Sequence, residues 1–287
     1  PPPGDPPPPC RAFFPLALLA GVFGSALGGW LPALALELPL AVRPDQLHAY
    51  RFALLLAGGF ALSASLPLLR LRGLVEAPLT RPDEPVTAGE KRRLIPIALN
   101  AALIGAGAGL VIPFMNLYFK TRFDCSSGQI GFFFALAQVF TALASLLGPA
   151  VARRFGKLRT AVAAELLSLP FLVTLGFERH LETAVAAFWL RATLMQASTP
   201  LLQTFIMEAL PAGLRARATS IMNLVWNVGW ALSATLAGLI IQHFGYAVPF
   251  YFTALLYATA ATTFYLAFRG TAEMGAPPRM PEEAKGQ

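Results

Sequence analysis

Eight apolar runs, each about as long as a bilayer is thick, restrict this chain to very few folds. They cover about Ala12–Leu36, Phe52–Leu69, Leu94–Phe119, Ile130–Val151, Thr160–Phe177, Thr183–Met207, Ala218–Ile241 and Tyr246–Phe268. A helix needs ~20 mostly apolar residues to cross ~30 Å of hydrocarbon. A strand of a membrane barrel needs only ~10, with alternation. These runs are longer than that and rich in Leu, Ala, Gly and Phe. Backbone polar groups in lipid must bond within their own segment, so helices are expected. The residues between the runs cannot supply a soluble surface. Only 13% of the chain is charged, against ~25% in a soluble domain. The expected fold class is an all-α polytopic membrane protein with eight transmembrane helices.

Lysine and arginine set the orientation. Counting connections alternately, sixteen cations fall on one side, in the N-terminal tail, residues 70–93, 153–159 and 215–217, and the C-terminal tail. Five fall on the other: Arg43, Arg51, Lys120, Arg122 and Arg179. The richer side is assigned to the cytoplasm, so both ends of the chain are expected there, with the bundle in the plasma membrane. The net charge of +7 comes from these loops, so no nucleic-acid partner is expected. Cys10 and Cys125 show no paired spacing, and His48, His180 and His243 stand apart. Neither a metal, a cofactor nor a catalytic constellation is expected, and the chain is read as no enzyme. The glycines of IGAGAGLVIPF follow no strand and precede no lysine, so they are no phosphate loop.

The chain divides by composition. Residues 1–11 form a Pro-rich tail that starts without Met and is read as an incomplete product or non-native leader. Residues 12–69 hold two spans. Residues 70–93, with three prolines and ten charges, form a cytoplasmic linker. Residues 94–269 hold six spans, and 270–287 form a cytoplasmic tail. Gly21, Ser25 and Gly29 recur every fourth residue in the first span. Gly229, Ser233 and Ala237 do so in the seventh. Small residues at that interval let helices approach closely in lipid. The spacing of six spans reads as a repeat of two six-span halves, with four spans missing upstream.

In that register Pro149–Arg159, PAVARRFGKLR, joins the second and third spans of the second half. It resembles the loop signature of the major facilitator superfamily (MFS), roughly G-x-L-x-D-R-x-G-R-R. Val151, Arg154, Gly156 and Lys157 match, while Pro149 replaces the first Gly and Arg153 the acid. The acidic residue's charge relay is therefore in doubt in this half. Gly24–Gly29, GSALGG, is similar to the end of the family's antiporter motif, G-P-x-x-G-G, with Ser25 in place of Pro. The resemblance implies two six-helix bundles rocking about a central site, here from the fifth span to the twelfth. It points to a secondary transporter of small solutes by alternating access, coupled to H+ and acting as an exporter. A non-transporting scaffold or receptor is the alternative. The 56% apolar, Phe-rich chain also fits a hydrophobic solute, although Phe is ordinary lipid-facing filler.

Polar groups inside the spans are functional candidates because lipid makes them expensive. Arg191 lies ~12 Å into the sixth span. It either snorkels to the interface or faces a cavity or an acid. Glu165, in the fifth span, lies ~10 Å away in depth, so the two are not taken as a pair. In the seventh span Asn223, Asn227 and Trp230 share a face with Trp226 beside it, and the small residues are expected on nearly the opposite face. That polar face lines either the pathway or a helix contact. Gln138, Gln196, Asn100 and Asn116 are further lining candidates. Gly105, Gly107, Gly109 and Pro113 make either a bendable gate helix or a tight contact. Arg153, Arg154, Gly156, Lys157 and Arg159 lie in a turn of about eight residues. They either anchor topology, meet helix-end carbonyls or anionic lipid, or govern conformational switching.

Overall fold

A computed structural model describes residues 20–32, 34, 46–66 and 88–274. The Pro-rich tail, most of the linker and the end of the C-terminal tail lie outside the described residues. Within the described residues the chain forms α1 (residues 20–32), α2 (Gln46–Ser63), α3 (Ala88–Val111), a 3-10 turn (Ile112–Phe114) and α4 (Met115–Phe123). These are followed by α5 (Ser127–Phe155), α6 (Lys157–Phe177), α7 (Leu181–Ala209), α8 (Ala212–Phe244) and α9 (Ala247–Met274). No strand occurs among the described residues. The segments Arg93–Phe123, Ser127–Phe155, Lys157–Phe177, Gly213–Phe244 and Ala247–Gly270 are long and apolar enough to cross a bilayer. At 29 residues α7 is as long as Ser127–Phe155. It carries Arg191 and Gln196 near its middle, which lowers its hydropathy.

Two compact units emerge, Pro1–Pro85 with Asn116–Val139, and Val86–Met115 with Phe140–Gln287. In the first, the small stripe of α1 is a packing surface. A Cβ on Gly29 would lie 2.7 Å from the Cα of Gly131, and one on Gly131 would lie 2.8 Å from the carbonyl of Ser25. Only two facing glycines permit that approach. Tyr50 and Ser127 hydroxyls bond at 2.9 Å.

In the second unit α3 packs on α8 and α9, and α9 packs on α6, which pairs with α7. The glycines of α3 make this possible. A Cβ at Gly105 would lie 2.4 Å from the Trp226 carbonyl, and one at Gly109 would lie 2.4 Å from that of Trp230. Gly107 faces α9, where a Cβ would meet the Tyr257 ring at 2.6 Å. Tight contact, not bending, is therefore the role of these glycines. The α-helix runs through all three and gives way only at the 3-10 turn around Pro113. Thr253 Oγ1 donates to the Gly107 carbonyl at 3.0 Å, and Asn100 Nδ2 to that of Ala260 at 3.3 Å. At one end of the unit an apolar core gathers Leu94, Ile97, Leu158, Phe205, Leu210 and Phe264 with their neighbours.

Candidate functional site

Inside the second unit two ionisable side chains are held away from solvent. Glu165 on α6 is 3% exposed and Arg191 on α7 is 5% exposed. Arg191 Nη2 donates to the Tyr257 hydroxyl at 3.3 Å, and its guanidinium carbon lies 5.9 Å from that ring's centroid. The space for Tyr257 exists because residue 107 has no side chain. Ser198 Oγ lies 2.8 Å from the Met195 carbonyl and 3.4 Å from Glu165 Oε1, so its one proton is shared between them. Arg191 and Ser198 stand seven residues apart on one face of α7, ~10 Å along the axis. Arg191 Nε and Glu165 Oε2 have no hydrogen-bond partner. Among the described residues no ion pair joins Arg191 to Glu165. Burial excludes the snorkelling reading of Arg191. Uncompensated buried polar atoms are costly, and with Thr160 Oγ1 on α6 this unit holds three, so they mark a site that packing alone does not explain.

The polar face of α8 is arranged differently from the sequence expectation. Asn223 and Asn227 are exposed, and Asn227 Nδ2 donates to the Asn223 carbonyl at 2.7 Å. Trp226 and Trp230 are half-buried with ring centroids 5.0 Å apart. Gly229, Ser233 and Ala237 do not lie opposite them. Gly229 and Ser233 face α3 together with the backbone of both tryptophans. At ~100° per residue a stripe repeating every fourth position drifts ~40° per step, and this carries it beside the aromatic pair.

Of the remaining candidates, Asn100 is buried between α3 and α9 as packing glue. Gln196 and Asn116 are exposed, and Gln138 is half-buried beside Gly21. Among the described residues Gln196, on the same helix as Arg191, makes no hydrogen bond to Glu165 or Arg191.

The basic connection is shorter than the eight residues expected. Gly156 alone separates α5 from α6, with φ of 87°, and its N–H donates to the Ala152 carbonyl at 2.9 Å. Only glycine takes that left-handed φ cheaply. Lys157 opens α6 and forms an ion pair with Glu208, one residue before the end of α7. Each sits at the wrong end of its helix for the macrodipole, so each offsets the other's penalty. Arg215 Nε donates to the Leu210 carbonyl at 3.2 Å, capping α7. Arg153, Arg154 and Arg159 are exposed. Sequence reasoning missed Tyr257, Ser198 and Glu208. Only the last carried a signal, an acid at the end of an apolar run.

Helices of this length, apolar faces and buried polar groups define a multi-pass helical membrane protein. The major facilitator superfamily profile matches residues 97–286, and the chain belongs to that family. It is also similar to the niacin transporter NiaP of Acinetobacter baylyi (strain ATCC 33305 / BD413 / ADP1), 24% identical over 142 residues. The match takes in 49% of this chain and 32% of the relative, so the chain spans about a third of the length of that relative.

Proposed function

We propose that the chain is the fifth to twelfth spans of a secondary transporter that moves a small solute across the plasma membrane by alternating access, driven by protons. The observation that carries this reading is the pair of buried, incompletely bonded groups, Glu165 and Arg191. A scaffold has no use for them, whereas a coupling site needs a carboxyl that can gain and lose a proton out of reach of bulk water. Glu165 is that carboxyl, and Arg191 is the charge that responds to it. Asn223, Trp226, Asn227 and Trp230 line the solute's path. Four further spans, supplying the first bundle, belong to this reading. Niacin, from the relative's name, is the first solute to test, and Gly24–Gly29 supports export.

Gly156, Lys157 and Glu208 form the switch between α5, α6 and α7. A half-exposed ion pair is worth ~0–1 kcal/mol, weak enough for a transport cycle to break. Proteoliposomes holding this chain, co-expressed with a four-span first half, test both roles under an imposed pH gradient. Glu165→Gln is expected to abolish gradient-driven accumulation and keep solute counterflow. Gly156→Ala is expected to slow turnover several-fold with KM unchanged. No flux of any solute in the unaltered protein would favour the scaffold.

The sixteen-to-five cation bias supports a cytoplasmic 70–93 loop and cytoplasmic ends. With Cys10 and Cys125 removed, an impermeant thiol reagent on intact cells is expected to label His180→Cys and not Pro82→Cys. The reverse pattern would invert the orientation.

A further inference from the structure

We propose that the exposed face of α5 binds an anionic phospholipid, with an acyl chain along the helix and the phosphate between Arg153 and Arg154. Leu143, Leu146, Leu147 and Val151 are 45–70% exposed. Arg154 stands four residues after Ala150, seven after Leu147 and eleven after Leu143, so it continues their face. Arg153 stands seven after Leu146 and does the same. The track from Leu143 to Arg154 is ~16 Å long at ~1.5 Å per residue. Half of a ~30 Å hydrocarbon core is ~15 Å, so one leaflet's chain matches the track. The apolar run ends at Val151, which puts both arginines at headgroup level.

Charge bookkeeping at this end of the unit leaves that pair for an outside anion. Lys157 is held by Glu208, and Arg215 Nε by the Leu210 carbonyl. Among the described residues neither Arg153 nor Arg154 meets a carboxylate. Arg154 lies instead 5.4 Å from the centroid of Phe155, whose ring is 57% exposed. The forked donors of two arginines fit phosphate oxygens.

Native mass spectrometry of the detergent-purified 287-residue chain tests the site. Dioleoylphosphatidylglycerol and dioleoylphosphatidylcholine are added at equal concentration. At about fivefold per cation near an anionic surface, roughly 30-fold preferential retention of the phosphatidylglycerol is expected. Arg153→Gln/Arg154→Gln should remove that preference. Lys120→Gln/Arg122→Gln, which deletes the same charge at another helix end, should keep it. Circular dichroism checks that each variant is folded, and if the arginine double is not, Arg154→Gln alone should lose about fivefold. Equal retention of both lipids by the unaltered chain, or equal loss in both doubles, overturns the proposal. So does a phosphatidylglycerol preference that survives the change at 153 and 154.

Discussion

Gly105→Ala and Gly109→Ala are expected to destabilise the chain, while Gly58→Ala and Gly59→Ala are expected to stabilise it or leave it unchanged. All four glycines lie inside helices. In a helix interior Ala is favoured over Gly by ~1 kcal/mol, so propensity alone predicts a gain at every one. Space reverses the sign at two of them. A Cβ at 58 or 59 meets nothing within 4 Å. One at 105 would lie 2.4 Å from the Trp226 carbonyl and 2.8 Å from its Cα, and backbone cannot step aside like a flexible side chain. At 109 the Ser233 hydroxyl, at 2.2 Å, can rotate away, but the Trp230 carbonyl at 2.4 Å cannot. Overpacking of this kind costs ~1–3 kcal/mol per site. The two sites share one contact, so the double variant should lose more than either and need not be additive. Unfolding of the detergent-solubilised chain by sodium dodecyl sulfate, followed by circular dichroism, reads the effect. A gain at all four positions would mean that α3 and α8 do not touch through glycine.

That contact shows what the sequence could and could not convey. The helices were legible because the hydrophobic runs are long, and the ends differ from them by only a few residues at most described boundaries. The small stripes on α1 and α8 were legible as contact faces, since Gly, Ser and Ala at every fourth position serve little else in lipid. Their partners were not, because Gly109 reads equally well as a bend and nothing local links Gly131 to Gly29. The placement of the tryptophans failed for a geometric reason: a four-residue repeat drifts around the helix. Glu165 and Arg191 announced themselves as charges in apolar runs. Tyr257 and Ser198 did not, because Tyr and Ser are ordinary in membrane helices and only the fold brings them to a charge. Lys157 and Glu208 are 51 residues apart, and nothing local in the sequence links them. Gly156 was legible as the signature's glycine, and its φ of 87° gives the backbone reason, although helix continues to within one residue on either side.

Arg191→Met is expected to leave stability unchanged or raise it, whereas Tyr257→Phe is expected to lower it. The two changes break the same 3.3 Å hydrogen bond from opposite ends. Removing the hydroxyl leaves a buried guanidinium without its acceptor, and hydrogen bonds to charged groups are worth ~1.5–3 kcal/mol. Removing the guanidinium takes away a charge that already has one unbonded nitrogen, Nε, and whose ring contact at 5.9 Å is distant. Replacing buried ionic groups by apolar ones of similar volume is often neutral or stabilising. Opposite signs of that kind belong to a residue kept for what it does and not for the packing it supplies. Transport should show the complementary pattern. Under the proposed coupling role, gradient-driven accumulation by Arg191→Met should fall by about two orders of magnitude, equivalent to ~2.7 kcal/mol, even though the protein is at least as stable. Arg191→Lys should recover little, because an ammonium lacks the planar fork that reaches the Tyr257 hydroxyl while leaving donors for a second partner. If Arg191→Met unfolds as readily as Tyr257→Phe, the arginine is structural glue between α7 and α9, and the coupling role assigned to it is lost.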